Sequence, residues 1–360
     1  MSATTSDLQH AVSRDHSEQK AELLSTVIEH IDITRFDATP IVEAMGKMSF
    51  TSRDLARATE LYLHMLNDPD CAIFLTLAGS TSAGGCMDIY AEMVRSNMVD
   101  GIVATGASIV DMDFLEALGF KHYRGHKEGQ GVDDAMLRSL YIDRIYDTYI
   151  DEHDLQSVDH TIYEIAQQCE PRPYSSREFI REMGRYLQAH GKKDNSLVKL
   201  AYEYDVPIFC PAFSDCSAGF GLVKHQVENP GRCMSIDSVA DFRELTALKI
   251  HAGTTGLLMV GGGVPKNFIQ DTVVCAEILG HDDVEVHKYA VQITVADVRD
   301  GACSSSTLQE AASWGKVTTT SEQMVFAEAS TVMPLLASTA WHGGSWKRRR
   351  KWALAQQFAQ

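Results

Sequence analysis

The sequence predicts an α/β fold: a single large domain with a Rossmann-like parallel sheet flanked by helices, plus a helical insertion. Short apolar runs alternate with segments of helical spacing, which is typical of a parallel sheet covered on both faces. Several runs end in small residues, as the run at 71–77 does at Gly79 and Ser80. The 360 residues, 44% of them apolar, are enough to build the core of such a domain.

The individual elements follow from the spacing of apolar residues. Helical spacing predicts helices over residues 21–30, 52–66, 84–98, 114–118, 239–247 and 264–279. Short apolar runs predict strands over residues 71–77, 101–105, 206–210, 256–260, 289–293 and 323–326. Residues 135–203 are predicted to be a mostly helical insertion. The domain is expected to span 21–345, between a flexible N-terminus (1–20) and a basic C-terminal tail (346–360).

The charge composition favours some classes of binding partner over others. The net charge of −17 disfavours nucleic acid and favours cationic ligands such as polyamines, although acidity also serves solubility alone. Five of the 32 basic residues lie at 347–351, in a segment that either binds RNA or a membrane, or is solvated or packed on acidic neighbours. No apolar run approaches the roughly 18 residues of a membrane span. No signal peptide is evident.

The eight cysteines are scattered and include no CxxC pair, so no zinc site or redox dithiol is predicted. Reduced thiols indicate a cytoplasmic protein. His122, His126 and His225 are isolated and are predicted to be structural rather than metal ligands. The signatures HExxH, GxSxG and Walker A are absent.

Three loops of small residues follow predicted strands, at 105–108, 261–263 and 300–306. Ligands bind at strand ends in open α/β sheets, and glycine lets a phosphate approach backbone amides. Each loop alone could be an ordinary turn, and the GxGxxG fingerprint is absent, but three together favour a nucleotide cofactor. Asp300 is a candidate for the ribose hydroxyls. Asp215 either joins this site or caps the next helix.

Lys316 lies in the run Glu310-Ala-Ala-Ser-Trp-Gly-Lys316. A lysine pressed against a tryptophan can lose its proton near neutral pH, because desolvation disfavours the ammonium form. A neutral lysine amine is the nucleophile that forms Schiff bases. Glu310 either steers a cationic amine or is a surface charge. The run therefore predicts an imine-forming lysine.

These motifs resemble the deoxyhypusine synthase family. The resemblance runs from about residue 72 to 336 and is most specific at 310–316, 325–330 and 333–336. It implies NAD as cofactor, a polyamine substrate such as spermidine, and transfer of a 4-aminobutyl group through an imine on Lys316. It also implies a homotetramer with active sites at subunit interfaces. The implied cofactor-binding positions are Ser80, Thr105, Gly106, Asp215, Gly261, Gly262, Gly263, Asp300, Gly301, Ser304, Ala327 and Glu328.

The implied substrate-binding positions depart from the family. They are Glu310, Trp314, Asn267, Asp271, Gln292, Phe220 and Cys303. Phe220 and Cys303 stand where the family has aspartates, Asn267 where it has a histidine, and Gln292 where it has a tyrosine. The resemblance therefore implies a divergent member, with a small amine as acceptor, as in homospermidine synthase.

Two alternatives stay open. One is deoxyhypusine synthase itself, which modifies a lysine of a translation initiation factor. The other is a non-catalytic paralogue, although Lys316, Trp314 and Glu310 are retained.

Overall fold

A six-stranded parallel sheet forms the centre of the molecule. A computed structural model describes residues 16–126 and 132–358. The strands in chain order are β1 (Ala72–Leu77), β2 (Gly101–Ala104), β3 (His122–Arg124), β4 (Ile142–Ile145), β5 (Thr148–Asp151), β6 (Pro173–Tyr174), β7 (Ile208–Phe209), β8 (Ser235–Ile236), β9 (Thr255–Val260), β10 (Tyr289–Thr294) and β11 (Glu322–Phe326).

The central sheet has the order β11-β10-β9-β1-β2-β7. The chain fills one half outward from β1 and then returns to fill the other half from β9. This is the doubly wound order of a Rossmann sheet, and β1 and β9 form its switch point. The predicted fold class is confirmed. All six predicted strands are the strands of this sheet, with bounds that differ by at most two residues at each end.

Helices cover both faces of the sheet. They are α1 (16–23), α2 (Thr39–Met45), α3 (Thr51–Asn67), α4 (Met87–Arg95), α5 (Leu115–Ala117), α6 (Asp134–Ser139), α7 (Glu152–Gln168), α8 (Ser176–His190), α9 (Leu197–Glu203), α10 (Ser217–Glu228), α11 (Ser238–Ala252), α12 (Gly263–Gln270), α13 (Thr272–Ile278), α14 (Leu308–Ser313) and α15 (Ala329–Gly343). Short π or 3-10 turns occupy 82–86, 107–114, 303–305, 345–348 and 354–358.

Side chains of the central strands alternate between two apolar layers. Ile73 and Leu75 of β1 pack into the larger layer, whereas Phe74 packs into the other. Residues 72–77 are all buried, because a central parallel strand has helices on both sides. This double coverage leaves only the strand ends free to bind ligands.

Four predicted helices are corrected by the structure. The helix expected over 21–30 ends at residue 23, because Val27 instead forms a β-bridge with Tyr123. The helix expected over 264–279 is two helices that meet at Asp271. The helices expected over 84–98 and 114–118 each continue a π turn and end early, at Arg95 and Ala117.

The insertion at 135–203 is mostly helical, as predicted, but it also contains β-structure. The antiparallel strands β4 and β5 lie within it, and β5 also pairs with β3. These strands are short and polar on one side, so no apolar run marks them. Of the terminus expected to be flexible, residues 1–15 lie outside the described part of the chain, and residues 16–20 are helical.

The described part of the basic tail packs against the domain. The Arg349 guanidinium lies 2.6 Å from Asp100 Oδ2, and both side chains are nearly inaccessible to solvent. Arg349 also donates a 2.6 Å hydrogen bond to the carbonyl of Asn97. Arg350 stacks on Trp352, 3.4 Å from the ring centroid. Of the five basic residues at 347–351, Arg349 is therefore directed into the protein, whereas the other four are exposed.

Candidate active site

The Lys316 amine lies in a cavity of about 570 Å³ beside α12 and α13. The lysine follows α14 and is 9% exposed. Its Nζ atom lies 2.6 Å from Asp271 Oδ1 and donates a 3.3 Å hydrogen bond to Asn267 Oδ1. A carboxylate at this distance can hold the ammonium form or accept its proton.

The junction of α12 and α13 explains how both partners reach the amine. Asn267 and Asp271 are four residues apart and therefore lie on one face. Asn267 Nδ2 donates a 2.7 Å hydrogen bond to Asp271 Oδ2, which fixes the carboxylate relative to Lys316. Asp271 ends α12 and precedes α13, so its side chain lies at the break between the two helices.

Trp314 and Glu310 line the same cavity. The Lys316 Nζ atom lies 5.3 Å from the Trp314 ring centroid, within the range of a cation–π contact. Trp314 is 66% exposed, so in this chain its ring covers one side of the amine without enclosing it. Glu310 is exposed in the first turn of α14, where it adds negative charge to the cavity.

Lys266 is a buried lysine beside the cavity that the sequence did not single out. Its Nζ atom donates hydrogen bonds of 2.7 Å to both the carbonyl and the hydroxyl of Ser306. Burial lowers the pKa of Lys266. Cys303 lines the cavity and donates a 3.3 Å hydrogen bond to the carbonyl of Gly263. These bonds tie the loop at 303–306 to the start of α12.

Several further lining residues also escaped the sequence analysis, among them Phe242, Gln270, Val274, Cys275 and Ile278. Four of these five share a helical face with Asn267 and Asp271, so the helical spacing between 267 and 278 is the signal that could have identified them. Phe242 comes from α11, and no local pattern indicates it.

Two of the expected substrate-binding residues lie outside the Lys316 cavity. Gln292 is fully buried in β10 and donates hydrogen bonds to the carbonyls of Gly261 and Ser304. Phe220 is 70% exposed on α10 and lines a separate cavity of about 720 Å³ with residues of the insertion. Gln292 therefore supports loops around the site, and Phe220 belongs to another surface of this chain.

A second cavity of about 310 Å³ opens at the switch point, where β1 and β9 end. The residues that line it include Gly79, Gly261, Gly262, Ser304, Ala327 and Glu328. Gly261 has φ +78°, and a Cβ atom there would lie 2.9 Å from the carbonyl oxygen of Ala78. Only glycine tolerates this close approach of two loops. Ser80 adjoins Gly79 and is partly buried.

The conformation of Gly79 indicates whether this crevice can fit a nucleotide. It has φ +85°, and a Cβ atom there would meet no protein atom within 4 Å. A side chain at this position would therefore project into open space, next to exposed backbone. Backbone cradles of this kind receive phosphates at the switch points of doubly wound sheets. The residues at this edge thus fit a dinucleotide.

Glu328 caps α15 at the rim of this crevice. Its carboxylate accepts hydrogen bonds from the amides of Ser330 (3.0 Å) and Thr331 (3.2 Å). Burial opposes ionisation, but these hydrogen bonds outweigh it and lower the pKa of Glu328. Glu328 is therefore held as a charged acceptor.

The loop at 300–304 adjoins both cavities. Gly301 and Cys303 line the Lys316 cavity, whereas Ser304 lines the cavity at the switch point. Asp300 is exposed at the start of this loop. A molecule bound at the strand ends would therefore lie next to one bound at the lysine.

The remaining expected cofactor residues follow β2 and β7. Thr105 shares a 3.1 Å hydrogen bond with Ser108, which donates to the carbonyl of Gly79. A Cβ atom at Gly106 would lie 2.4 Å from Cys216 Sγ, so the β2 loop packs tightly against the segment that carries Asp215. Asp215 itself is exposed. These residues share the edge of the sheet with the crevice but do not line it.

Asp111 is a second acidic group at this end of the sheet. Burial raises the pKa of Asp111 to about 6, although Ser217 donates a 2.8 Å backbone hydrogen bond to it. It lies near Asp159 and Asp215, whose charges add to the effect.

The described ranges contain neither a helix able to span a membrane nor a group of three or more residues able to hold a metal ion. All eight cysteines are unpaired.

Comparisons with known proteins agree on one family. The model of the family "Deoxyhypusine synthase" matches residues 40–340. A "Deoxyhypusine synthase-like protein" of Coxiella burnetii is 69% identical over 340 residues, which cover 94% of this chain and 96% of the relative. One from Caulobacter vibrioides is 66% identical over 337 residues, with coverage of 92% and 91%.

A more distant relative is "Probable deoxyhypusine synthase 2" of Methanosarcina acetivorans, 37% identical over 308 residues, with coverage of 85% and 87%. Among solved structures, an Entamoeba histolytica protein assigned as a deoxyhypusine synthase aligns with a TM-score of 0.59 and 20% identity, over 88% of this chain and 97% of the other. At that identity the structural likeness supports the fold alone.

Proposed function

Because the chain belongs to the deoxyhypusine synthase family, we propose that it is an NAD-dependent aminobutyl transferase that acts on polyamines through an imine on Lys316. The observation that carries this proposal is the Lys316 amine in its cavity, 2.6 Å from the Asp271 carboxylate. Asp271 takes the ammonium proton and leaves the amine as a nucleophile.

The crevice at the switch point would hold NAD, which supplies a hydride acceptor for the donor amine and later returns the hydride to the product. In this proposal Gly79, Gly261 and Gly262 offer backbone to its phosphates, and Glu328 offers a charged acceptor to its hydroxyls. The loop at 300–304, which borders both cavities, keeps the oxidised carbon of the donor beside Lys316.

Transfer at Lys316 then occurs in two exchanges. The amine attacks the oxidised carbon of the donor, and the departing amine, diaminopropane in the case of spermidine, takes up a proton as the carbon–nitrogen bond breaks. An acceptor amine next attacks the lysine imine and releases the Lys316 amine. Asp271 holds the proton that moves on and off Lys316, and Trp314 and Glu310 attract the cationic end of the substrate.

The acceptor in this proposal is a small amine, as in homospermidine synthase. Support comes from the altered polar groups, because Cys303 and Asn267 replace charged or basic family residues in the Lys316 cavity. We also propose a homotetramer, in which a second subunit brings the surface around Phe220 and Asp215 to the Lys316 cavity.

The test is incubation with NAD and a panel of polyamines, followed by mass spectrometry. The expected products are a new polyamine and, after borohydride, an aminobutyl adduct on Lys316. Failure to form either with any amine would overturn the proposal and favour a non-catalytic paralogue.

Deoxyhypusine synthase activity is the second candidate. It is favoured by the 37% identity to the Methanosarcina acetivorans relative named for that activity. Adding a translation initiation factor to the same panel separates the two. Aminobutyl transfer to a lysine of that factor, without a small-molecule product, would replace the first candidate with the second.

A further inference from the structure

His287 is a fully buried histidine just before β10, outside the Lys316 cavity. Its backbone amide donates a 3.0 Å hydrogen bond to the carbonyl of Lys316, and its own carbonyl accepts a 3.1 Å bond from the amide of Thr318. His287 and Val317 form an isolated parallel β-bridge. The main chain of His287 therefore fixes the main chain of Lys316.

The imidazole of His287 reaches the opposite wall of the site. Its Nε2 atom lies 3.1 Å from the carbonyl of Ile269, and its Nδ1 atom lies 2.8 Å from the hydroxyl of Thr255. A carbonyl only accepts, so Nε2 carries the proton and donates. Burial lowers the pKa of His287 to about 3, and the nearby Lys249 cation adds to this effect. The ring is thus neutral, and Nδ1 accepts from Thr255.

Ile269 lies between the two side chains that hold the amine. It belongs to the last turn of α12, after Asn267 and before Asp271. Its carbonyl also accepts a 2.6 Å hydrogen bond from the hydroxyl of Thr272, at the start of α13. The carbonyl of Ile269 therefore accepts hydrogen bonds from both Thr272 and His287. Together these bonds fix the break between the two helices, where Asp271 lies.

We propose that His287 is a positioning residue for Lys316, because this one buried residue joins the main chain of the lysine to the helix turn that carries Asp271. The inference rests on the proposed role of Lys316. The 2.6 Å contact between the Lys316 amine and Asp271 joins two segments that are far apart in the sequence. His287 forms hydrogen bonds to both segments and thereby sets the distance between them.

The test compares His287→Leu, which removes both imidazole bonds, with His287→Gln, whose amide can still donate to Ile269. The first readout is the rate at which trinitrobenzenesulfonate modifies Lys316 at fixed pH, measured by peptide mass spectrometry. It requires neither NAD nor a donor. We expect about threefold faster modification in His287→Leu, because the displaced Asp271 carboxylate no longer contacts the amine and leaves it open to the reagent. His287→Gln should lie closer to the wild type.

The second readout is transfer kinetics. In His287→Leu, kcat should fall about tenfold or more, since small displacements of reacting groups are costly, while KM for the donor stays within about twofold. The control is His225→Leu, which also removes a buried histidine that accepts one hydrogen bond, from the amide of Met234. It should lower the melting temperature without either change at Lys316.

A folded His287→Leu variant with wild-type modification rate and wild-type kcat would overturn the proposal, and so would equal effects in His225→Leu. If His287→Leu does not fold, His287→Gln and Thr255→Val carry the test through the same two readouts. A wild-type protein that transfers no amine overturns the proposed function, while the modification rate still decides the role of His287.

Discussion

Lys316 has two kinds of neighbour, and they differ in what they can do. Asp271 meets the amine directly at 2.6 Å, whereas the Trp314 ring lies 5.3 Å away and is mostly exposed. In the proposed reaction, the carboxylate therefore exchanges the proton, and the ring offers a face to a cationic substrate. Asp271 and Glu310 are the acidic side chains that line the cavity in the described part of the chain, and the uncharged Cys303 and Asn267 lie beside them.

Replacing the nucleophile separates the two halves of the reaction. Lys316→Arg keeps a cation beside Asp271 but cannot form the imine, so transfer should be abolished. Oxidation of the donor does not require the covalent lysine, so some NADH or a free aminoaldehyde should still appear. The measurement is NADH absorbance together with mass spectrometry of the amine products.

Lys199→Arg is the matched control, because Lys199 is also paired with an aspartate, Asp194, at 2.7 Å but lies on another surface. It should transfer normally. Normal transfer by Lys316→Arg would refute the imine mechanism and require a different NAD chemistry.

At the scale of elements, two devices build the site: a loop of glycines after β9 and the break between α12 and α13. The glycine loop follows from the sequence, because an apolar strand precedes it and a helix follows. The break was not predicted, since the apolar spacing continues through Asp271. No residue there forbids a helix. The break coincides with tertiary contacts of Asp271 with Lys316 and of Ile269 with His287, which the local sequence does not show.

Gly79 offers a test of the cofactor crevice. An alanine there places a methyl group in the open space and should weaken NAD binding. A ligand that binds only the native state stabilises it by about 2.7 kcal/mol at a hundredfold excess over Kd. Thermal unfolding should therefore show a rise in Tm with NAD for the wild type and a much smaller rise for Gly79→Ala.

The control is Gly280→Ala. Gly280 has nearly the same backbone angle, φ +87°, and also has no atom within 4 Å of a Cβ, but it lies in the turn before β10. Both alanines carry the cost of a left-handed residue, about 1–2 kcal/mol. Gly280→Ala should keep the full response to NAD. An equal rise in Tm with NAD in both variants would mean that NAD does not bind beside Gly79.

The contact between α8 and α11 should make stability depend on pH. Asp241 of α11 is fully buried and accepts a 2.9 Å hydrogen bond from the hydroxyl of Ser176. Burial raises the pKa of Asp241 to about 7, so the folded protein binds a proton that the unfolded chain releases near 3.8. The free energy of unfolding should therefore decrease as pH rises from about 4 to about 7.

Asp241→Asn stays neutral and keeps an oxygen acceptor for Ser176. Relative to the wild type, it should gain stability of the order of 2–4 kcal/mol between pH 4 and pH 8. Urea denaturation at both pH values measures this gain, with the exposed Asp70→Asn as control. A stability difference that is the same at both pH values would contradict the assignment.

The sequence predicted the central sheet well because buried parallel strands have continuous apolar runs that end in glycine or serine. It missed β4 and β5, which are only four residues long and contain charged residues such as Asp143, Arg144 and Asp151. It also extended the first helix through Val27, because the bridge to Tyr123 is a tertiary contact. In the site, Lys316, Trp314 and Glu310 lie in one run and were found together, whereas His287 and Phe242 are brought in by the fold alone.

At the scale of the molecule, expected substrate residues occupy two separate surfaces. Cys303 lines the Lys316 cavity, and Phe220 lies exposed on α10 in a different one. If a second subunit brings these two surfaces together, carboxylates placed at both positions would contact the same cationic substrate. A charge-assisted contact contributes about 1.5–3 kcal/mol. The double variant Phe220→Asp, Cys303→Asp should therefore raise kcat/KM for spermidine about tenfold or more.

Val223→Asp is the control for the exposed position. Val223 lies one turn beyond Phe220 on the same helix and is 62% exposed. An aspartate there adds the same charge to the helix, but one turn away from Phe220. It should give no gain. Unchanged kcat/KM in the double variant would mean that charge at these positions does not determine the choice of donor.

The pairing of β1 with β9 has a consequence for how the protein is made. Ala72 pairs with Thr255, 183 positions later. At roughly 5–20 residues per second, a ribosome needs about 10–40 s to make the partner after β1 emerges. Throughout that time one edge of a mostly apolar strand has no neighbour, and such edges can pair with other chains. High-yield production should therefore benefit from slow expression, low temperature and abundant chaperones.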